Sequence, residues 1–254
     1  MVCYNIYFSP TGGTKKVAAL VANGLADTVS DVDLTDNRTD FQLPALSADD
    51  VVVIAVPSYS GRVPSPAVDR IARLQGNGAK AVLVCVYGNR AYEDTLVELR
   101  DVVVNGGFRV VAAVAVVAEH SIARRYAAGR PDADDCRQLT AFAVKIRERL
   151  SSGSVGEPAI PGNRPYRKAG KVGFVPKPTR KCNKCGACAR KCPVGAIDAA
   201  DYGKVDRDKC ISCMRCVAVC PHKGRKVSPV MLFAANLMLK KACSIRKENE
   251  LFLL

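Results

Sequence analysis

Eight of the twelve cysteines in this 254-residue chain fall between Cys182 and Cys220, in two copies of one spacing. The first run is Cys182-Asn-Lys-Cys185-Gly-Ala-Cys188-Ala-Arg-Lys-Cys192-Pro193. The second, Cys210-Ile-Ser-Cys213-Met-Arg-Cys216-Val-Ala-Val-Cys220-Pro221, repeats it at an offset of 28 residues. Soft thiolates at this density suit iron–sulfur chemistry. Structural zinc is the competing occupant, but it usually brings two separated pairs to one tetrahedron, not four cysteines within eleven residues followed by proline.

The C-x2-C-x2-C-x3-C-P spacing resembles that of bacterial ferredoxins carrying two [4Fe–4S] clusters. The resemblance implies a small α+β ferredoxin-like domain over residues 179–227. It also implies a crossed ligand set: Cys182, Cys185, Cys188 and Cys220 for one cluster, Cys210, Cys213, Cys216 and Cys192 for the other. The second half departs from the pattern. Val-Gly-Ala-Ile197 follows Pro193, but His222-Lys223-Gly224-Arg225 follows Pro221. Positive charge at that place favours the reduced, more negative state of a cluster. His222 reads as a solvated residue, with proton gating as the alternative.

Upstream, apolar runs alternate with amphipathic segments. Residues 2–8, 29–34, 50–56, 80–86 and 108–118 read as strands, the later ones apolar throughout, as strands covered on both faces are. Helices are expected after the first strand, over 67–74, from about 92 to 104 and over 132–150. The alternation predicts an α/β fold with a parallel sheet wound on both sides, and its five strands fit the flavodoxin-like doubly wound order 2-1-3-4-5, in which a ligand sits beyond the carboxyl ends of the strands.

Three loops fall at that rim. Ser9-Pro10-Thr11-Gly12-Gly13-Thr14 joins the first strand to the first helix, where backbone N–H groups and the helix dipole favour a phosphate. It lacks the Gly-Lys-Ser/Thr ending of a triphosphate-binding loop. Pro57-Ser58-Tyr59-Ser60-Gly61 follows the third strand, and Tyr87-Gly88-Asn89-Arg90-Ala91-Tyr92 the fourth. The first loop resembles the S-x-T-G-x-T phosphate loop of flavodoxins. The resemblance implies FMN, with its phosphate at Ser9, Thr11, Gly12, Gly13 and Thr14. Its ring would lie among Pro57, Ser58, Tyr59, Ser60, Gly61, Tyr87, Gly88, Asn89 and Tyr92. Tyr59 and Tyr92 also have an ordinary packing role open to them. Glu119-His120-Ser121, after the last strand, reads equally as a flavin or substrate contact and as a plain loop.

With the paired cysteine runs, the segments SPTGGT, PSYSGR, VYGNRAY and AEHS make the chain resemble bacterial flavodoxin–ferredoxin fusion proteins over essentially its whole length. The division expected is 1–150 flavodoxin-like, 151–178 linker, 179–227 ferredoxin-like and 228–254 a helical tail packed on the ferredoxin-like module. The linker is rich in Gly and Pro, yet Tyr166, Phe174 and Val175 give it apolar anchors, so it is expected to pack along the first domain and hold the clusters near the flavin.

Charge divides the chain as well. Residues 1–150 are balanced, so the whole formal charge of +14 falls after them. Those basic residues are scattered without a nucleic-acid-binding motif, and docking to an acidic, ferredoxin-like redox partner is the expectation. No GxGxxG segment points to a nicotinamide donor. The start of the chain does not have the pattern of a secretory signal, and no apolar run is long enough for a transmembrane segment, which with the thiol content predicts a cytoplasmic protein. Two functions follow: an FMN/iron–sulfur oxidoreductase or carrier, or an iron–sulfur carrier whose first domain only docks partners.

Overall fold

The apolar runs form the interior of a sheet with helices on both faces. The computed structural model describes residues 2–36, 45–153, 156–170 and 173–254. Its first part contains β1 (Cys3–Tyr7), α1 (Gly13–Leu25), β2 (Val29–Asp33), β3 (Val51–Pro57), α2 (Ser65–Ile71), β4 (Lys80–Tyr87), α3 (Thr95–Asn105), β5 (Arg109–Val117) and α4 (Ala133–Ser151). The strands pair in parallel in the expected order β2-β1-β3-β4-β5, the flavodoxin-like doubly wound arrangement.

Strand periodicity explains why β3 is apolar at every interior position. Val52, Ile54 and Val56 pack with Ile71, Leu96 and Leu99 of α2 and α3, whereas Val51, Val53 and Ala55 pack with Val17, Val21, Leu139 and Ile146 of α1 and α4. At the start of α4, Asp132 accepts from the N–H groups of Asp134 and Asp135, and Asp135 accepts from that of Asp132. This reciprocal cap fixes where the helix begins.

The second part is small. It contains β6 (Lys177–Pro178), α5 (Ala187–Arg190), α6 (Arg215–Ala218) and β7 (Arg225–Lys226), with β6 and β7 paired antiparallel. Its two halves repeat one another in backbone as well as sequence. Lys184, Gly186 and Gly195 have φ of 61°, 74° and 60°, and their counterparts Ser212, Met214 and Lys223 have 52°, 60° and 49°. Left-handed backbone is unfavourable for residues with a Cβ, so its recurrence at non-glycine positions marks a turn that each cysteine run has to make.

The last residues revise the expected tail. Helix α7 (Pro229–Cys243) is followed by β8 (Glu250–Phe252). β8 pairs antiparallel with β5, Ala115 opposite Glu250 and Ala113 opposite Phe252, and so extends the sheet to six strands. β8 covers the β5 edge and anchors the chain just beyond α7, over the first domain. Leu239 and Cys243 accordingly pack on Ala123 and Tyr126, and Tyr126 Oη donates to Asn236 O at 2.5 Å. The helix therefore packs on the α/β domain and not, as expected, on the ferredoxin-like one.

The linker lies along α3. Asn163 donates from N and Nδ2 to Asp94 Oδ1 at 2.8 and 3.0 Å, and Arg167 N donates to Asp94 Oδ2 at 2.7 Å. Tyr166 Oη donates to Asp101 Oδ2 at 2.5 Å, and Ile160 packs against the core. Residues 154, 155, 171 and 172 of the linker lie outside the described residues.

Candidate functional site

Each cysteine run bends through its left-handed turn and then enters a single helical turn, which carries its last cysteine away from the first three. One cavity is lined by Cys182, Cys185, Cys188 and Cys220, the other by Cys192, Cys210, Cys213 and Cys216. In each, three thiols of one run meet the last thiol of the other. Among the described residues no three His, Cys, Asp or Glu side chains converge as a single metal ion requires. Four thiols line each cavity, as many as a cubane has corners to ligate. Matching amides serve the crossing cysteines: Ala196 N donates to Cys192 Sγ at 3.3 Å and Gly224 N to Cys220 Sγ at 3.2 Å.

The two cavities differ in depth. Cys192 and Cys213 are buried, whereas Cys185 is exposed. Burial pushes the Cys213 thiol up to about 12 and, against the pull of Arg225, the Cys216 thiol to about 11. Without iron these thiols stay protonated near neutral pH, so loading the site displaces protons.

A third cavity, of about 480 Å³, opens at the carboxyl ends of β1, β3, β4 and β5. Pockets for cofactors fall in the range of roughly 300–1,000 Å³. Thr11, Gly13 and Thr14 line one end of it. There Gly12 caps α1 in the left-handed region (φ 94°) and the first turn of the helix carries no acidic residue, which leaves its N–H groups suited to an anion.

Pro57, Ser58, Tyr59 and Ser60 form another wall. Ser60 and Gly61, with φ of 53° and 78°, make the tight turn that joins Tyr59 to Arg62 by two backbone hydrogen bonds of 3.0 and 3.1 Å. Burial, then the nearby Cys213, raises the Tyr59 phenol well above its ordinary pKa. Tyr87, Gly88, Glu119 and His120 complete the rim.

His120 packs against Gly88, where a Cβ would come within 2.5 Å of its ring. Its Nδ1 accepts from the N–H groups of Ile122 and Ala123, both at 3.1 Å, which places the proton of the neutral ring on Nε2. Burial, then the charge of Arg90, lowers its pKa, so the ring is a neutral donor near pH 7. Glu119 pairs with Arg124 and accepts from Gly129 N at 3.2 Å. Its carboxylate fastens the 119–130 loop as well as lining the cavity.

Five of the residues expected at the flavin do not line the cavity: Ser9, Gly12, Gly61, Asn89 and Tyr92. Ser9 Oγ accepts from Lys15 N at 2.9 Å and secures the turn into α1. Asn89 Nδ2 donates to Cys243 O and Ile245 O at 3.0 and 2.9 Å, and its Oδ1 accepts from Lys247 N. Tyr92 packs edge-on against Tyr87 and donates to Glu250 Oε2 at 3.1 Å. Both side chains hold the returning C-terminal segment. Conversely, the cavity gains Phe174 from the linker, Ile211 and Ser212 from the second cysteine run, and Met238 and Leu239 from α7. Of these Phe174 carried a sequence signal as a linker anchor and Leu239 as an apolar residue of the expected tail helix, though neither signal pointed to this cavity.

The cavities are neighbours. Arg70 Nη2 donates to Pro193 O at 2.6 Å, Lys191 Nζ pairs with Asp36 at 3.0 Å, and Arg215 Nη1 reaches Pro10 O at 3.3 Å.

Residues 181–224 match the family described as 4Fe-4S dicluster domain. The chain is 42% identical over 44 residues to a subunit of the ion-translocating oxidoreductase complex of Methanosarcina acetivorans, covering 17% of each protein. It is 39% identical over 69 residues to a tetrathionate reductase subunit of Archaeoglobus fulgidus, covering 26% of this chain and 32% of that one. The chain thus spans a third or less of the length of these relatives. A flavodoxin from the domain Archaea superposes with a TM-score of 0.45 at 15% identity, covering 59% of this chain and 99% of that one. The topology and the family match together define the class: a flavodoxin-like α/β domain joined to a 4Fe-4S dicluster domain. Among the described residues no helix is long and apolar enough to cross a membrane.

Proposed function

We propose that the chain is an electron-transfer flavo-iron–sulfur protein with FMN at the sheet rim, [4Fe–4S] clusters in the two cysteine cavities and an acidic redox protein as its partner. When bound, FMN interconverts two-electron and one-electron transfer, and the clusters carry single electrons. The observation that carries this reading is the dipeptide Ile211-Ser212, which lies between Cys210 and Cys213 and lines both the rim cavity and the deeper cysteine cavity. One short segment is thus a wall common to both.

Thr11, Thr14 and the first N–H groups of α1 would hold the phosphate. Tyr59 and Tyr87 would flank the ring, and His120 Nε2–H would donate to its polar edge. Phe174, Met238 and Leu239 would give the mouth an apolar border. Cys192, Cys210, Cys213 and Cys216 would ligate the inner cluster, and Cys182, Cys185, Cys188 and Cys220 the outer one. Arg180, Lys181, Lys184, Arg190 and Lys223, all exposed, flank the outer ligands along the chain, which supports an acidic partner there. Such docking slows as salt rises. A cytoplasmic location is part of the proposal, since thiols kept for cluster ligation suit a reducing compartment. The division at 150, 178 and 227 stands as part of the proposal, with residues 228–254 serving as lid and edge of the first domain.

Anaerobic purification followed by absorption and cofactor analysis tests this. The expected result is one FMN and about eight irons per chain. Eight irons without flavin would favour a docking role for the first domain, and zinc in place of iron would overturn the cluster reading.

A further inference from the structure

The 28-residue repeat sets Arg225 opposite Ile197, each five residues after the last cysteine of its run. Ile197 is an ordinary core residue, packed with Cys192 and Ala196. Arg225 is buried more deeply still, with 3% of its surface exposed. A guanidinium taken out of water needs charge or hydrogen-bond partners, and this one is only half supplied. Nη1 donates to Tyr202 O at 2.7 Å and lies 3.6 Å from Cys188 Sγ. Nε and Nη2 are buried without a hydrogen-bond partner among the described residues. The side chain lines both cysteine cavities at once.

We propose that Arg225 is a positioning residue shared by the two clusters, whose fixed charge and free N–H groups stabilise the reduced state of both. The inference rests on the two-cluster reading above. Cys188, the thiol beside Nη1, belongs to one ligand set, and Cys216, which lines the second cavity together with the Arg225 side chain, belongs to the other. Reduction adds one electron, hence one negative charge, to a cluster. The proposed effect is electrostatic, an attraction between a fixed cation and the added electron, and involves no proton transfer. Out of water that attraction is strong. Isoleucine at the matching position shows that the fold does not itself require a cation at such a site. Gly224, beside it, leaves the space that the close pass of Cys182 needs, for a Cβ there would lie 3.0 Å from the Cys182 backbone.

The test is a mediated redox titration of full-length, cluster-loaded protein, read by the electron paramagnetic resonance of the reduced clusters, in Arg225→Gln, Arg225→Ile and Arg225→Lys. Electrons come from dithionite through the mediators. The Gln and Ile variants should shift the reduced-to-oxidised ratio of both clusters about tenfold toward the oxidised form at a given potential, which is about 59 mV for a one-electron couple. The Lys variant should stay within about threefold, or about half that shift. Unchanged midpoints in the Gln variant, a shift in one cluster alone, or a Lys variant that moves as far as Gln would each overturn the proposal. Loss of iron from all three would also overturn it, by making the side chain a requirement of assembly. Wild-type protein with fewer than two clusters would instead defeat the two-cluster reading on which it rests.

Discussion

Asn249 Nδ2 donates to Asp135 Oδ1 at 2.9 Å, and Asn249 Oδ1 accepts from Val117 N at 2.9 Å, in a buried corner where β5, α4 and the approach to β8 meet. One amide therefore fastens the C-terminal return to the sheet, and with it the α7 wall of the rim cavity. Asn249→Leu strands the Val117 N–H, and a buried donor left without a partner costs about 1–3 kcal/mol. Thermal unfolding should occur at a lower temperature and flavin should leave faster. A variant that melts like wild type would show that the corner holds nothing.

Asp135 also takes both prongs of Arg130, at 2.8 and 2.5 Å. Burial alone would raise this carboxyl, but the bonds from Arg130, Asp132 and Asn249 outweigh it and the pKa is lowered. A carboxylate with a depressed folded pKa contributes stability that is fully present above its unfolded pKa of about 3.9 and is lost as pH falls through the folded value. The urea midpoint, followed by far-ultraviolet circular dichroism, should fall as pH drops below about 4, and Asp135→Asn should flatten that limb. Arg130→Met removes the nearer of two cations from the buried carboxylate and leaves Arg246 at 3.5 Å, so it should destabilise at neutral pH by less than the roughly 3–5 kcal/mol of a fully unpaired buried charge. An acid limb equally steep in Asp135→Asn would assign the loss to other groups.

At the end of the rim cavity proposed for the phosphate, the structure separates hydroxyls that the sequence presents alike. Thr11 and Thr14 line the cavity, while Ser9 supports the turn from behind. Thr11→Ala with Thr14→Ala should weaken FMN binding by about 1.5–3 kcal/mol for each charge-assisted bond lost. Ser9→Ala should act on stability instead, by about 1 kcal/mol as for a lost helix cap. Equal flavin dissociation constants in wild type and the double variant would place the phosphate elsewhere.

The crossing of the cysteine runs makes a prediction that sequence neighbourhood alone would reverse. Cys192→Ala should damage the cluster whose other thiols are Cys210, Cys213 and Cys216, since these four line one cavity. Selective loss of the other cluster's signal in that variant would overturn the assignment.

The legible features were local ones. The doubled cysteine spacing, the apolar runs of β3 to β5 and the loop at the start of α1 each declare themselves within a dozen residues. What was not legible depends on segments far apart in the chain. β8 is three residues long, too short for any periodicity to show. Asn89 and Tyr92 sit in a rim loop, as read, but their side chains turn to partners more than 150 residues away. The linker is held less by apolar anchors than by Asp94 and Asp101, whose charges have no distinguishing pattern in sequence.

The two domains are coupled by contacts of unequal kinds. Lys191–Asp36 is an ion pair whose lysine is exposed, and salt screens such pairs. Arg70 instead donates to the neutral Pro193 carbonyl from a buried position, and a bond of that kind is little affected by ionic strength. The Ile211-Ser212 wall is part of the packing itself, with Ile211 resting on the core of the α/β domain. Screening therefore should not release the domains from one another. After reduction through the flavin, clusters in the same chain should be reduced in a first-order process whose rate constant is unchanged by tenfold dilution and by added salt. Transfer to an outside partner at the basic face should slow with that salt, so the two processes separate in one stopped-flow series. A cluster-reduction rate that rises in proportion to protein concentration would mean that electrons pass between molecules, and the fixed arrangement of the domains would have to be abandoned.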